Sequence, residues 1–262
     1  MPRPLAEMRA PSDLLGVLCD IDDTLTVDGR LVPGVLRVMA EAQRRGIKIV
    51  PVTGRPGGWV DHIARCWPVD GVVGENGGLW YWMDGEKLQR RFMQGPETRQ
   101  ANKARMAAVA DRILREVPGS ALASDQPYRE LDLAIDFCED VAPLGDQAVQ
   151  RIVEIFQEEG ANAKVSSIHV NGWFGQFDKL AGIQQFHRDC FGGPIDVSRW
   201  AFFGDSPNDE PMFGALEHSI GVSNVVNFLD AMTTPPQWIT ASEGGHGFIE
   251  GMNHLLGETA SR

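Results

Sequence analysis

Three carboxylates fall within four positions of the chain, Asp20, Asp22 and Asp23, directly after a run of apolar residues. Side chains of an extended chain alternate with a period of two, so Asp20 and Asp22 leave it on the same side. Two like charges at about 4 Å and an effective dielectric constant of about 20 repel by roughly 4 kcal/mol. A hard cation that prefers oxygen ligands relieves that repulsion, and the spacing therefore predicts a Mg²⁺ site.

A second polar group, Thr53 and Gly54, follows another apolar run, Ile47 to Val52. A hydroxyl donor beside a glycine amide that no side chain shields suits a phosphate group. An ordinary turn between a strand and a helix uses the same residues, and the preceding Asp20 favours the phosphate interpretation. Arg55 comes next, and either a substrate contact or a surface position fits it equally well.

A third group lies in the string Gly204-Asp205-Ser206-Pro207-Asn208-Asp209, again after an apolar run. Taken alone, this string also fits a turn in which Asp205 or Ser206 caps a helix. Lys179 opens a further helical pattern and adds a cation to the set.

Strands must hold these groups together. The apolar runs that precede the groups, Leu14–Cys19, Ile47–Val52 and Trp200–Phe203, are typical of strands buried on both faces of a parallel sheet. A helical pattern from Pro33 to Arg45 separates the first two and predicts a parallel βαβ unit. Because the carboxyl ends of such strands meet at one edge of the sheet, all the groups are predicted to form one site.

The pattern changes in the middle of the chain. Residues 96–173 read as helix, two short strands, helix and two short strands, which predicts a small α+β module. We therefore expect a Rossmann-like α/β core made of residues 1–95 and 174–262, with residues 96–173 inserted as a separate domain. Within the first part, residues 79–83 and 87–92 are predicted to form a hairpin, with hairpin-turn chemistry at residues 75–78.

These motifs, in this order and across essentially the whole chain, resemble the haloacid dehalogenase-like (HAD) superfamily. The inserted module resembles the C2-type cap of its subfamily IIB, near sucrose-phosphatase-like and other sugar-phosphate phosphatases. The resemblance implies a Mg²⁺-dependent phosphomonoesterase that acts on a small phosphorylated metabolite. It also implies an aspartyl-phosphate intermediate, with Asp20 as nucleophile and Asp22 as acid and base.

The resemblance extends to the other motif residues. It implies a metal held by Asp20, the backbone carbonyl of Asp22 and Asp205. Thr53 and Gly54 are expected to hold the phosphoryl oxygens and Lys179 to neutralise charge. The resemblance further implies that Asn208 and Asp209 orient Lys179 and metal-bound water.

The inserted module is the expected source of specificity, because the core motifs contact only the phosphoryl group and the metal. Lys164, Asn171 and Trp173 are candidate substrate contacts. His169, Asn171 and Trp173 share one strand face by period two, which suits a polyol with an aromatic wall. A solvated sheet face fits the same pattern equally well.

Composition narrows the function classes. The formal charge of −12 argues against a nucleic-acid partner, and no apolar run is long enough to span a membrane. We expect no signal peptide, a cytoplasmic location and four free thiols without a C-x-x-C pair. Oligomeric state is not predicted.

Two other functions stay open on the same motifs: a sugar phosphomutase using the same aspartyl-phosphate, and a non-catalytic metabolite-binding regulator. The absence of a Gly-Lys-Ser/Thr string excludes a P-loop kinase. An EF-hand calcium loop that started at Asp20 would need Glu at position 31, where this chain has Leu31, so the sequence does not fit such a loop. His62 and Cys66 have helical spacing but no further zinc ligand nearby.

Overall fold

A computed structural model describes residues 1–166 and 168–257. The strands are β1 (Arg3–Pro4), β2 (Gly16–Cys19), β3 (Thr26–Val27), β4 (Arg30–Leu31), β5 (Lys48–Pro51), β6 (Val72–Gly74), β7 (Leu79–Asp84), β8 (Lys87–Phe92), β9 (Ala121–Leu122), β10 (Leu133–Asp136), β11 (Asn162–Val165), β12 (His169–Trp173), β13 (Trp200–Gly204), β14 (His218–Gly221) and β15 (Trp238–Ile239). The helices are α1 (Gly34–Arg44), α2 (Gly57–Cys66), α3 (Pro96–Glu116), α4 (Asp146–Glu158), α5 (Lys179–Phe191), α6 (Glu210–Ala215) and α7 (Gly244–Leu255).

Six of these strands form the central sheet, in the order β1-β15-β14-β13-β2-β5. Every neighbouring pair in it is parallel. The predicted α/β class with a parallel core sheet is confirmed. The edge strand β1 was not predicted, because two exposed residues carry no apolar pattern.

Both faces of the central sheet are covered, which explains why its inner strands β2 and β13 contain no charged side chain. On one face Val17 and Phe203 belong to a cluster that includes residues of α1 and α7. On the other, Leu18 and Phe202 pack with residues of α5 and α6. A β-carbon at Gly16 would lie 2.4 Å from the Trp200 ring, so glycine there lets the adjacent strand pack closely.

The hairpin region differs from the prediction. Strands β7 and β8 pair as expected, but Asp84 pairs with Lys87 and the connecting loop is Gly85-Glu86. The turn at residues 75–78 instead joins β6 to β7. Strand β6 therefore belongs to a separate three-stranded sheet, which meets the end of β5 through one parallel bridge between Val52 and Val73.

The inserted segment has the predicted order of helix, two strands, helix and two strands. Its four strands form an antiparallel sheet in the order β11-β12-β10-β9. Ile113 of α3 and Phe156 of α4 are fully buried and share one apolar cluster with Ile135 and Val170 of the sheet. The two helices therefore cover one face, which leaves the other face for the central domain.

All four cysteines are free thiols, and Cys66 is exposed while Cys19 is buried. None of the helices in the described ranges is long and apolar enough to cross a membrane. A short hairpin, β3–β4, pairs Val27 with Arg30 and turns at Asp28 and Gly29. Asp28 and Gly29 both have positive φ, as a two-residue hairpin turn requires.

Candidate active site

The polar groups predicted from the sequence meet at the carboxyl edge of the central sheet. Asp20 follows β2, Thr53 follows β5, Asp205 follows β13 and Lys179 is the first residue of α5. All four side chains are buried. The parallel topology is what brings together residues up to 185 positions apart, from Asp20 to Asp205.

Lys179 bridges two of the carboxylates. Its Nζ lies 3.0 Å from Asp20 Oδ1 and 2.7 Å from Asp209 Oδ1. Burial acts to lower the pKa of the Lys179 ammonium, but the charges of Asp20 and Asp209 outweigh it and raise that pKa above its usual value. The side chain of Asp178 accepts a hydrogen bond from the Ala181 amide at 2.8 Å and so fixes the start of α5. Lys179 is thus a permanently charged neighbour of Asp20.

Asp205 is the residue whose surroundings indicate a cation. Its Oδ1 accepts a hydrogen bond from Thr24 at 2.9 Å, while its Oδ2 is buried without a partner among the described residues. Oxygen atoms of Asp20, Asp205 and Asp209 lie within 4.8 Å of one another. Burial raises the pKa of Asp205 well above its usual value, and Asp209 and Asp20 add to that effect. Three buried carboxylates around one ammonium leave excess negative charge, and the all-oxygen donor set fits Mg²⁺.

Asp209 differs from the other two carboxylates. Its Oδ2 accepts the backbone amides of Asp205 at 3.0 Å and Ser206 at 3.3 Å, and its Oδ1 accepts from Lys179. Both of its oxygens are therefore engaged in holding the loop and the lysine. A β-carbon at Gly204 would lie 2.4 Å from Asp209 Oδ2, so the glycine makes room for this carboxylate. The geometry favours an orienting role for Asp209 over a place among the metal ligands.

The loop after β5 carries Thr53 and Gly54, and Gly54 lines the same cavity as Asp20. Thr53 is fully buried, and its Oγ1 accepts the Arg55 amide at 3.0 Å. A β-carbon at Gly54 would lie 3.4 Å from the side-chain amide of Asn76. Asn76 Nδ2 is buried and unpartnered among the described residues. Asn76 was not predicted as a site residue, because an Asn-Gly pair is typical of a turn.

Arg55 is buried, so the surface alternative for this residue is wrong. Its Nε lies 3.0 Å from both carboxylate oxygens of Asp22, and its Nη2 lies 2.8 Å from Oδ1. Nη2 also donates to Glu139 at 3.0 Å, and the guanidinium stacks 4.4 Å above the Trp59 ring. Burial acts to lower the Arg55 pKa, but Asp22 and Glu139 outweigh it and raise that pKa. Arg55 Nη1 also lies 3.4 Å from Asp125 Oδ2, so a cation from the core holds one carboxylate of the core and two of the inserted segment.

The inserted segment contributes a second arginine, Arg129, that is almost completely buried. Its Nη1 donates to the carbonyl oxygen of Gly54 at 2.9 Å and to Asp132 Oδ1 at 2.9 Å. Asn171 Nδ2 donates to the other oxygen of Asp132 at 3.1 Å. His169 Nε2 lies 2.9 Å from Glu139 Oε2. The sequence offered no motif for Arg129 or Glu139, because the contacts that join them to the core, with Gly54 and Arg55, are distant in sequence.

These groups enclose a small cavity. Its lining residues are Asp20, Asp22, Gly54, Arg55, Arg129, Ser166, Ile168, His169, Asn171, Ser206 and Asn208. The cavity volume is about 10 Å³, which is room for roughly one water molecule. Residues of both the core and the inserted segment therefore close over Asp20.

The other two candidate substrate contacts lie elsewhere. Lys164 is exposed, and Trp173 is buried against Phe177, with ring centroids 5.6 Å apart and the Trp173 Nε1 donating to the Phe177 carbonyl at 3.1 Å. Lys164 and Trp173 line a separate cavity of about 470 Å³. Of the three candidates, only Asn171 lines the cavity beside Asp20. The expected aromatic wall is absent there because Trp173 packs into the apolar core.

Residues 17–104 match a protein-family model described as haloacid dehalogenase-like hydrolase. Over this stretch the chain is similar to the haloacid dehalogenase-like hydrolases. The resemblance inferred from the motifs is confirmed. No curated protein matches the chain.

Solved structures share its fold. A protein of Thermoplasma acidophilum is similar with a TM-score of 0.72 and 16% identity, over 93% of this chain and 98% of that one. The sucrose-phosphatase of Synechocystis is similar with a TM-score of 0.65 and 16% identity, over 92% of this chain and 97% of that one. A haloacid dehalogenase-like hydrolase of Bacteroides thetaiotaomicron is similar with a TM-score of 0.64 and 16% identity, over 92% of this chain and 99% of that one. These alignments run through the inserted segment as well as the core, and at such identities they show the fold.

Proposed function

We propose that the protein is a Mg²⁺-dependent phosphomonoesterase that acts on a small phosphorylated metabolite, a sugar phosphate, through an aspartyl-phosphate. The observation that carries the proposal is the buried Asp20, ion-paired to Lys179 and grouped with the unpartnered oxygen of Asp205. A metabolite-binding regulator has no need of this set. The substrate class is supported by the fold shared with a sucrose-phosphatase.

In the proposed reaction, a carboxylate oxygen of Asp20 attacks phosphorus while the bond from phosphorus to the leaving alcohol breaks. Asp22 gives its proton to that alcohol. Asp22 then takes a proton from water, whose oxygen attacks phosphorus and displaces Asp20 to release inorganic phosphate. Each residue ends in its starting state, so the two steps form a cycle.

The other core residues stabilise charge. Lys179 offsets the negative charge around Asp20 throughout. Thr53 and the Gly54 amide are proposed to hold phosphoryl oxygens, with Asn208 beside them. Asp20, Asp205 and the Asp22 carbonyl are proposed to hold Mg²⁺, which supplies Lewis-acid stabilisation of the phosphoryl oxygens when bound.

Residues 96–173 are proposed to act as a cap on a core of residues 1–95 and 174–262. A cavity of about 10 Å³ is too small for a sugar phosphate, so the cap must move to admit one. Asn171 is the proposed substrate contact from the cap, and Arg55 is the proposed contact from the core. Lys164 and Trp173 drop out of this set because they line another cavity.

The test is a screen for phosphate release over a panel of phosphorylated sugars and small acids with Mg²⁺ present, using Asp20→Asn as the matched control. We expect release with at least one substrate by the wild type and none by the variant. A phosphomutase would instead move labelled phosphate to a second sugar without releasing it. Binding of a metabolite without either reaction would support a regulator and contradict the proposal.

A further inference from the structure

Asp205 lines a cavity different from the one beside Asp20. This second cavity, here called the core-side cleft, has a volume of about 260 Å³. The residues that line it are Asp23, Thr26, Val27, Asp28, Asp205, Asn224, Asn227, Phe228, Glu243 and Gly244. None of these belongs to residues 96–173, so the core alone builds the cleft.

The charge of the core-side cleft has one sign. Four of its lining residues are carboxylates, namely Asp23, Asp28, Asp205 and Glu243, and none of its described lining residues is a lysine or an arginine. Asp205 is at the inner end and 1% exposed, whereas Asp28 and Glu243 are exposed. Negative charge therefore extends from the solvent to the buried carboxylate.

Hydrogen bonds between the Asn224 side chain and backbone groups fix the wall of the cleft. Asn224 Nδ2 donates to the Asp23 carbonyl at 2.9 Å, and Asn224 Oδ1 accepts the Gly244 amide at 3.0 Å. Asn224 thereby ties together three segments of the wall. A β-carbon at Gly244 would lie 2.3 Å from the Thr26 carbonyl, so the close approach of α7 to β3 depends on this glycine.

An acidic surface alone does not indicate a ligand, but Asp205 adds an independent observation. Its Oδ2 is buried and unpartnered among the described residues, although Thr24 pairs the other oxygen. The cavity beside Asp20 holds about one water and is covered by the inserted segment. Of these two described cavities, which are lined by Asp205 and by Asp20, the cleft is the larger.

We propose that the core-side cleft is the path by which the divalent cation reaches Asp205, with Asp28 and Glu243 attracting it from solvent. The proposal rests on the metal site of the proposed function. It separates the two ligands in space: the phosphorylated substrate enters under the cap, and the cation enters through the core. The cation can then exchange while the cap is closed.

Electrostatic attraction of this kind changes association rates and depends on salt. A cleft lined by charge of one sign raises the association rate of an opposite ion by about tenfold or more. The Debye length falls from about 30 Å at 0.01 M to about 3 Å at 1 M ionic strength, so the effect of exposed charges disappears at high salt.

The experiment uses Mn²⁺ as the probe and needs no turnover. Free Mn²⁺ measured by electron paramagnetic resonance gives Kd, release into excess fluorescent chelator gives the dissociation rate, and their quotient gives the association rate. The test variant is Asp28→Asn/Glu243→Gln. The control is Asp84→Asn/Glu86→Gln, which makes the same chemical changes on the exposed β7–β8 loop.

At about 0.01 M ionic strength we expect the association rate of the test variant to fall about tenfold below that of the control, with little change in dissociation. At about 1 M salt the two should agree. Equal rates at low salt would overturn the path, and a larger loss in Glu130→Gln, on the inserted segment, would place access on the cap side. Failure of the wild type to bind Mn²⁺, or unchanged binding in Asp205→Asn, would overturn the metal site itself.

Discussion

Arg129 of the inserted segment donates a hydrogen bond from Nη1 to the carbonyl oxygen of Gly54 in the core, at 2.9 Å. The same guanidinium pairs with Asp125 and Asp132, and its side chain is 1% exposed. The loop that carries Thr53 and Gly54 is thus fixed by a charge that arrives only when the inserted segment is docked. Docking of the inserted segment and the shape of the loop that carries Thr53 and Gly54 are therefore coupled through Arg129.

The first prediction concerns this arginine. Arg129→Met should lower the free energy of unfolding by about 3–5 kcal/mol, because it leaves Asp132 buried without a cation and Asp125 with only the 3.4 Å contact to Arg55. Urea denaturation followed by circular dichroism measures the loss. Arg112→Met is the control, since Arg112 pairs with Glu116, Glu158 and Glu159 at the surface, where such pairs contribute about 0–1 kcal/mol.

Restoring charge balance should recover part of the loss. The double variant Arg129→Met/Asp132→Asn removes the carboxylate charge that Arg129→Met leaves without a cation, and it should be more stable than Arg129→Met alone. A double variant that is less stable than the single one would contradict the charge explanation.

The second prediction concerns Glu75, which joins the same two segments. Its Oε1 accepts the amides of Gly57 and Glu130, both at 2.9 Å, and its Oε2 accepts those of Leu131 at 2.6 Å and Asp132 at 3.2 Å. Burial raises the pKa of Glu75 from 4.5 to about 7, and Asp132 adds to that rise. One core carboxylate therefore receives three consecutive amides of the inserted segment.

The sign of the pH effect follows from the raised pKa. Between pH 4.5 and about 7 the folded protein binds the Glu75 proton that the unfolded chain has lost, so stability from this residue falls as pH rises. The wild type should lose stability relative to Glu75→Gln across that interval. Urea midpoints for both proteins at half-unit pH steps measure the difference. A difference that grows in favour of the wild type would show that the folded pKa is lowered.

Site residues that directly follow an apolar strand could be predicted from the sequence. Asp20, Thr53 and Asp205 each follow an apolar run, and the parallel sheet places all three at one edge. Periodicity gave the helices within a few residues, as for α1, predicted at residues 33–45 and found at Gly34–Arg44. Local pattern and strand topology were sufficient for these features.

Contacts between segments that are distant in the chain could not be predicted from the sequence. The sequence did not decide between a surface position and a substrate contact for Arg55, because its partners, Asp22 and Glu139, lie 33 and 84 positions away. Trp173 has the alternation expected of a ligand-facing strand, yet it packs on Phe177 because an indole ring gains more from burial in the core. Period two assigns a face to a residue, and it does not say which layer covers that face.

The third prediction is metal dependence. Asp20, Asp205 and Asp209 meet with a single ammonium between them, so the site without a cation repels a phosphate dianion. EDTA should abolish phosphate release and Mg²⁺ should restore it. Ca²⁺ should be a poor substitute because it prefers more ligands and longer bonds. Full activity in EDTA would exclude the metal role.

The fourth prediction separates the nucleophile from the fold. Asp20→Asn should reduce phosphate release to background, because an amide matches the carboxylate in shape but cannot attack phosphorus. Lys179 keeps Asp209 as a partner at 2.7 Å, so the circular dichroism spectrum should not change. Wild-type turnover in this variant would remove Asp20 from its proposed role.

The last prediction compares two residues that lie directly opposite each other on neighbouring strands of the inserted segment's sheet. Lys164 of β11 pairs in register with Asn171 of β12, yet only Asn171 lines the cavity beside Asp20, where its Nδ2 donates to Asp132. Asn171→Ala should lower kcat/KM for the best sugar phosphate by about 10–200-fold, the range expected when about 1–3 kcal/mol of binding is lost.

Lys164→Ala is the matched control, because Lys164 is exposed on the same sheet and lines another cavity. It should change kcat/KM by less than about twofold, as a solvated side chain does. Hydrolysis of p-nitrophenyl phosphate, which offers the cap no polyol, should fall much less than that of the sugar phosphate in Asn171→Ala. Equal losses on both substrates would mean that Asn171 acts through the position of Asp132 and Arg129 on the Gly54 loop. A loss confined to Lys164→Ala would place the specificity surface in the cavity shared with Trp173.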